Sequence, residues 1–192
     1  MSRPNKILAF WFNDPDPQHH YGEFRQVWFK KDPNFDAQIR QRFLNDYEQA
    51  AAGQFASWQE QPRSCLALIL LLDQFPRNLF RGRPRSFATD DQALAAAKSA
   101  IAHNFDRALI PIERNFLYLP FEHSERLAHQ QQSVALFTVL ANIAPELQHS
   151  LDYALKHRDV IAKFGRFPHR NAILSRQTTA EEDAYLQQHG GF

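Results

Sequence analysis

The sequence predicts an all-α protein, and three observations carry that prediction. Hydrophobic periodicity follows helical spacing wherever it is clear, helix-start and helix-stop residues punctuate the chain, and no stretch between turn signals alternates apolar and polar residues for long. Glycine is scarce, at 6 of 192 residues, which argues against a sandwich built on tight turns. Seventeen phenylalanines point to a core dominated by aromatic packing. At this length one domain, residues 1–192, can enclose a substantial core.

The elements follow in order. "ILAFWF", residues 7–12, is a six-residue apolar run closed by Asn13 and Asp14, too short for the core of a signal peptide. Trp11, Phe12, Trp28 and Phe29 are expected in the core, because too few basic residues interleave with them for base stacking. Asp32 and Pro33 read as N-cap and first turn of a helix carrying Phe35, Ile39, Phe43 and Tyr47 at four-residue steps, stopped at Gly53. "CLALILLLDQF", residues 65–75, is apolar all round and is expected to be the central buried helix, ending at Asp73. Thr89 to Gln92 read as a capping box ahead of "ALAAAKSAIAH".

"SERLAHQQQSVALFTVLANIAP", residues 124–145, is polar in its first half and apolar in its second, so one end is expected at the surface or a cleft and the other in the core. Pro145 and Glu146 open a helix with Leu147, Leu151, Ala154, Leu155, Ile161 and Phe164 on one stripe, and Gly165 suits a left-handed C-cap. Thr178 and Glu181 read as another capping box, for a last helix ended by Gly190. The segments around 13–22 and 81–88, rich in Pro, Asp and Arg, are expected to be loops.

Composition narrows the function classes. With 22 basic and 21 acidic residues there is no global field to attract nucleic acid or an anionic membrane, so any positive patch is local. The longest apolar run, Cys65 to Leu72, is far below the roughly 20 residues a bilayer requires. A single cysteine, Cys65, excludes an internal disulfide and fits a reducing compartment, so a soluble cytoplasmic protein is expected. The chain has no glycine-rich phosphate loop, no G-x-S-x-G elbow and no H-E-x-x-H. Glu125 and His129 share a helix face, but the spacing supplies no third ligand, so neither metal nor cofactor is expected.

Three polar constellations stand out. In "FGRFPHRN", residues 164–171, Pro168 can open a short helix after Gly165, and Arg166, His169 and Arg170 beside its free N–H groups suit a carboxylate or phosphate. "DQFPRNLFR", residues 73–81, repeats the Phe-Pro and Arg-Asn chemistry, and a third Arg-Asn pair is Arg114-Asn115. The alternative is that these side chains cap neighbouring helices or pair with acids of the fold. Asp73, at the end of a buried helix, needs a partner or must stay protonated; Arg77 is nearest, with Arg114 or Arg170 as other candidates. Either it clamps helix packing or it floors a charged cleft. In "FEHSE", His123 beside carboxylates can act as acid or base near neutral pH, or Glu122 and Ser124 can simply cap the following helix.

Together "ILAFWF", "LLDQFPRNLFRG", "FLYLPFEHSE" and "FGRFPHRNAILSR" resemble the bacterial "domain of unknown function 924" family of the TPR-like helical superfamily, over about residues 6 to 190. The resemblance implies antiparallel helix pairs in a TPR-like superhelix, and it brings no activity. Its motif residues fall on Asp73, Gln74, Pro76, Arg77 and Asn78, on Glu122 to Glu125, and on Gly165, Arg166, Pro168, His169, Arg170 and Asn171.

Because the distinctive polar residues gather in three turns, the leading expectation is one cationic pocket for a small anionic ligand. Arg77, Arg114, Arg166 and Arg170 supply its field, Asn78, Glu122, His169 and Asn171 orient the ligand, and His123 and Asp73 are the acid/base candidates of any catalysis. The alternatives are a module that binds a protein or peptide on a helical face, and motifs that serve folding alone. Reaction, substrate and oligomeric state are not set by the sequence.

Overall fold

Asp32 opens the longest helix as its chemistry demands. Its carboxylate accepts from the N–H groups of Asn34 (2.9 Å) and Phe35 (3.0 Å) at the start of α2, Pro33–Ala51. The computed structural model describes residues 1–13 and 21–191, so Asp14 and most of the expected loop at 13–22 lie outside the described residues. Among the described residues there are helices and short 3₁₀ turns and no strand, as the all-α reading requires. None of these helices is long and apolar enough to cross a membrane.

The central helix departs from expectation in an instructive way. α3, Pro62–Ile69, does not stop at Asp73 but runs through a π-helical turn, Leu70–Gln74, into α4, Phe75–Leu79. Pro76 has no N–H to offer the Leu72 carbonyl one turn back, so the regular ladder cannot continue. Thr89 fills that gap, its hydroxyl donating to the Leu72 carbonyl at 2.5 Å. This is why the expected capping box at Thr89 does not form: the side chain is committed to another helix, and α5, Asp90–Ala102, starts without a side-chain cap.

α3 packs against α5, α6 (Pro111–Glu122) and α1 (Arg3–Phe12), which places it at the centre of the core. Cys65 to Leu71 are all at most 4% exposed, and burial pushes the Cys65 thiol up to about 11. The aromatic core forms around Trp11, whose ring lies 5.5 Å from Phe75 and 5.5 Å from Phe116. Trp11, Phe12 and Trp28 are buried as expected, but Phe29 is 56% exposed and stacks on the equally exposed Phe24, centroids 5.8 Å apart.

The C-terminal half consists of α6, α7 (Leu127–Ile143), α8 (Gln148–Phe164) and α9 (Ala180–His189). α7 packs on both α6 and α8 through short connections, which leaves successive helices antiparallel. The apolar half of α7 enters the core through Phe137 and Leu140, as expected, but burial follows one face rather than one end. Gln130 and Ser133, in the polar half, are fully buried, whereas Val139 and Ile143 are exposed. The cause is the end of α6, where Gln130 donates to the carbonyls of Glu122 (2.6 Å) and Ser124 (2.7 Å) and so satisfies groups the helix leaves open.

Gly165 caps α8 at φ 68°, as expected. The final capping box lies one residue later than Thr178 and Glu181. Thr179 N donates to Glu182 (2.8 Å), and Glu182 N donates back to the Thr179 hydroxyl (3.2 Å).

Thr89→Val, which keeps the shape and removes the donor to a buried carbonyl, should cost about 1–3 kcal/mol in urea unfolding. Asp32→Ala, losing an N-cap near the surface, should cost about 1 kcal/mol.

Candidate functional site

The π turn places Asp73 at the centre of a polar network. Its carboxylate is fully buried. One oxygen lies 2.7 Å from His123 Nδ1 and 3.4 Å from Arg77 Nη1, and the other accepts from Gln74 Nε2 at 2.5 Å. Arg77 also donates to the Asp73 carbonyl and forks onto Asp90, the first residue of α5, at 3.0 and 3.2 Å. Arg170, from the turn Pro168–Arg170, reaches Asp90 at 3.4 Å and donates to the His123 carbonyl at 3.0 Å. Its guanidinium sits 4.6 Å from the centroids of both Phe87 and Phe167. The turns containing Asp73, His123 and Arg170 therefore meet.

They meet beside a cavity of about 530 Å³. Arg77, Asn78, Glu122, His123, His169 and Arg170 line it, and Asp73 lies behind His123. Among the described residues the cations of the wall are Lys30, Arg77, Arg81 and Arg170, while Asp36, Asp73 and Asp90, the partners of the three arginines, are not part of the wall. Asn78 is held by Asp36 of α2 at 2.8 Å.

Three expected ligand residues lie outside the cavity. Arg114 donates to the carbonyls of Leu109 (2.8 Å) and Arg107 (3.4 Å). Arg166 pairs with Glu182 at 2.6 and 2.8 Å and with the Gln177 carbonyl, anchoring α9. Asn171 is fully buried and points to Thr178 and Glu182. Of the adjacent pair Arg114 and Asn115 on α6, it is Asn115 that lines the cavity. Its spacing from Leu119 and Glu122, one face of one helix, was the signal in the sequence. Glu122 is not an N-cap, since it belongs to the last turn of α6, whereas the Ser124 hydroxyl does accept from Arg126 N at 3.3 Å ahead of α7.

Glu125 grips Arg176 at 2.7 and 3.0 Å, and His129 lies between Ser124 and Lys98. Among the described residues no group of three or more His, Cys, Asp or Glu is arranged to hold a metal ion.

Burial pushes the Asp73 carboxyl up, but the Arg77 charge and then His123 outweigh it and hold Asp73 below the usual carboxylate range. Burial and Arg77 lower His123, against the pull of Asp73. The imidazole is thus neutral at pH 7, its proton on Nδ1 toward an acceptor-only carboxylate, and Nε2 keeps its lone pair. Glu122 is moved the other way. Burial, then the charge of Asp73, raises it to about 8, so it is a neutral acid at pH 7. His157, whose Nδ1 lies 3.3 Å from Glu122, is lowered by burial to about 3, and His169 by burial and Arg170 to about 4. A base and an acid of opposite perturbation therefore adjoin one cavity.

Because the folded pKa of Glu122 lies above the ordinary 4.5, its contribution to stability is full below about pH 4.5 and is lost as pH rises through about 8. His157 acts oppositely as pH falls from 6.5, so the informative comparison is with Glu122→Gln, which leaves His157 in place. Between pH 5 and 9 the wild type should lose on the order of 2–4 kcal/mol relative to that variant in denaturant titrations.

Comparison with known proteins matches this architecture. A solved structure described as a protein of unknown function, ATU0120 from Agrobacterium tumefaciens, is 41% identical, covers 96% of this chain and 97% of its own, and superposes with a TM-score of 0.84. No curated protein matches the chain. Residues 7–190 match the family model for bacterial proteins of unknown function called DUF924. With nearly the whole chain matched, the protein belongs to the DUF924 family.

Proposed function

We propose that the cavity binds a small anionic ligand and that His123, oriented by Asp73, acts as a base on that ligand or on a water beside it. The observation that carries this reading is the distribution of charge: guanidinium and ammonium groups belong to the wall, and the carboxylates paired with its arginines do not. Arg170 Nε is buried without a partner, a donor still unspent. In this scheme Nε2 takes a proton, and the ionised Asp73 stabilises the imidazolium that results.

The second reading is a TPR-like superhelix that docks a protein or peptide on its helical face. Its support is the antiparallel run α6 to α8 and the exposed Val139 and Ile143. Convergence of polar groups on one concavity favours the small ligand.

A thermal-shift screen of inorganic phosphate and small mono- and dicarboxylates, against wild type, Arg170→Lys and Lys30→Gln, tests the proposal. A ligand at a hundred times its Kd adds about 2.7 kcal/mol, or about 5–10 °C for a domain of this size. The shift should shrink in both variants, and equal stabilisation of all three proteins would refute the pocket as drawn. For any turnover found with such a ligand, His123→Asn should retain binding and lose at least about 100-fold in rate.

A further inference from the structure

The cavity has two halves of different chemistry, and the difference specifies the ligand further. α6 lays Asn115, Leu119 and Glu122 along one wall. Seven residues of helix separate the ends of that row by about 10 Å. The Asn115 end adjoins the aromatic rim, since Phe116 packs 4.9 Å from Trp28 and 6.3 Å from Phe29. The Glu122 end adjoins His123 and the Arg170 turn.

Among the described residues Glu122 is the one acidic residue in this wall, and no guanidinium or ammonium is paired with it. Oε1 meets His157 Nδ1 at 3.3 Å, and that nitrogen is also 2.9 Å from the Tyr153 carbonyl. Oε2 has no partner although the residue is 4% exposed, and Asn115 Oδ1, on a residue 2% exposed, has none either. Buried oxygens are rarely left this way, and these two belong to residues that line one cavity, which marks them as positions for ligand groups. A plain anion held by Arg77 and Arg170 would leave both unpaired. A positively charged group on the ligand would meet the acid of this wall, which is paired with none of its arginines.

We infer that the cavity takes a zwitterionic ligand of the amino-acid class, with its anionic group at Arg77 and Arg170, its ammonium at Glu122, and its body along Leu119 toward Asn115 and the aromatic rim. The inference rests on the anionic-ligand reading above. About 10 Å accommodates an amino acid with an extended side chain or a dipeptide, at about 3.3–3.6 Å per extended residue. The groups that act on Glu122 are Asp73 from the π turn and His157 from α8, while His123, His169 and Arg170 line the same cavity. Glu122 is neutral at pH 7 in the free protein, so pairing with an ammonium ionises it and releases its proton to solvent.

The test uses the full chain at pH 7. The proteinogenic amino acids and a dipeptide set are screened by thermal shift, each beside its deamino carboxylate, for example phenylalanine beside 3-phenylpropionate. The expected result is at least one zwitterion that stabilises the wild type and binds at least tenfold tighter than its deamino counterpart in calorimetry. Calorimetry in two buffers of different ionisation enthalpy should show about one proton released by wild type and none by Glu122→Gln. That variant keeps the uncharged state the acid has at pH 7, so it should fold, and it should reduce the discrimination to less than about threefold. Asn115→Leu should weaken ligands with a polar far end and spare the rest. If carboxylates bind as tightly as their amino counterparts, or Glu122→Gln leaves discrimination intact, the zwitterion is refuted and the anionic pocket stands. If no amino acid, dipeptide or carboxylate shifts the wild type, both readings fall.

Discussion

One buried carboxylate organises this molecule. Asp73 has no exposure to solvent, and an isolated charge there would be prohibitively costly. It is kept ionised by Arg77, His123 and Gln74, which come from its own helix and from the end of α6. Arg77 in turn recruits Asp90 at the head of α5, and Asp90 recruits Arg170 from beyond α8. A chain of opposite charges thus ties four distant parts of the sequence to one point. Removing a single partner from such a network leaves an uncompensated charge, so the fold and the site are not separable.

The same arrangement sets the protonation states. The negative charge of Asp73 fixes the tautomer of His123 and adds to the burial that keeps Glu122 neutral. The two residues are adjacent in the chain, yet one is left as a base and the other as an acid. Backbone geometry is part of this device. The π turn occurs where Pro76 breaks the hydrogen-bond ladder, and Thr89 covers the carbonyl so exposed while tying α5 to the break. Helix irregularity and site chemistry coincide at the π turn, Leu70–Gln74, which carries Asp73.

Legibility in the sequence varied with the range of the interaction. Local chemistry read well: Asp32 caps α2, Gly165 ends α8, and the all-α class follows from periodicity. Thr89 and Gln130 depart from their local patterns because a distant partner competes. Thr89 abandons its own helix for Leu72, and Gln130 is buried because the end of α6 lacks donors for its carbonyls. Among the motif arginines, Arg77 and Arg170 face the cavity, whereas Arg166 is drawn to Glu182 and Arg114 to backbone carbonyls. Composition does not distinguish these four, since each is an arginine in a polar turn or helix with a similar neighbourhood.

The sequence by itself determined the helical class, the buried central helix and the need of Asp73 for partners, because periodicity, capping and desolvation act over a few residues. Only the tertiary structure decided which guanidiniums meet that carboxylate, that Asn115 rather than Arg114 faces inward, and that Glu122 is an acid without a cation. Those outcomes depend on helix rotation and on loops tens of residues apart, and burial, not residue type, fixes the charge each group carries.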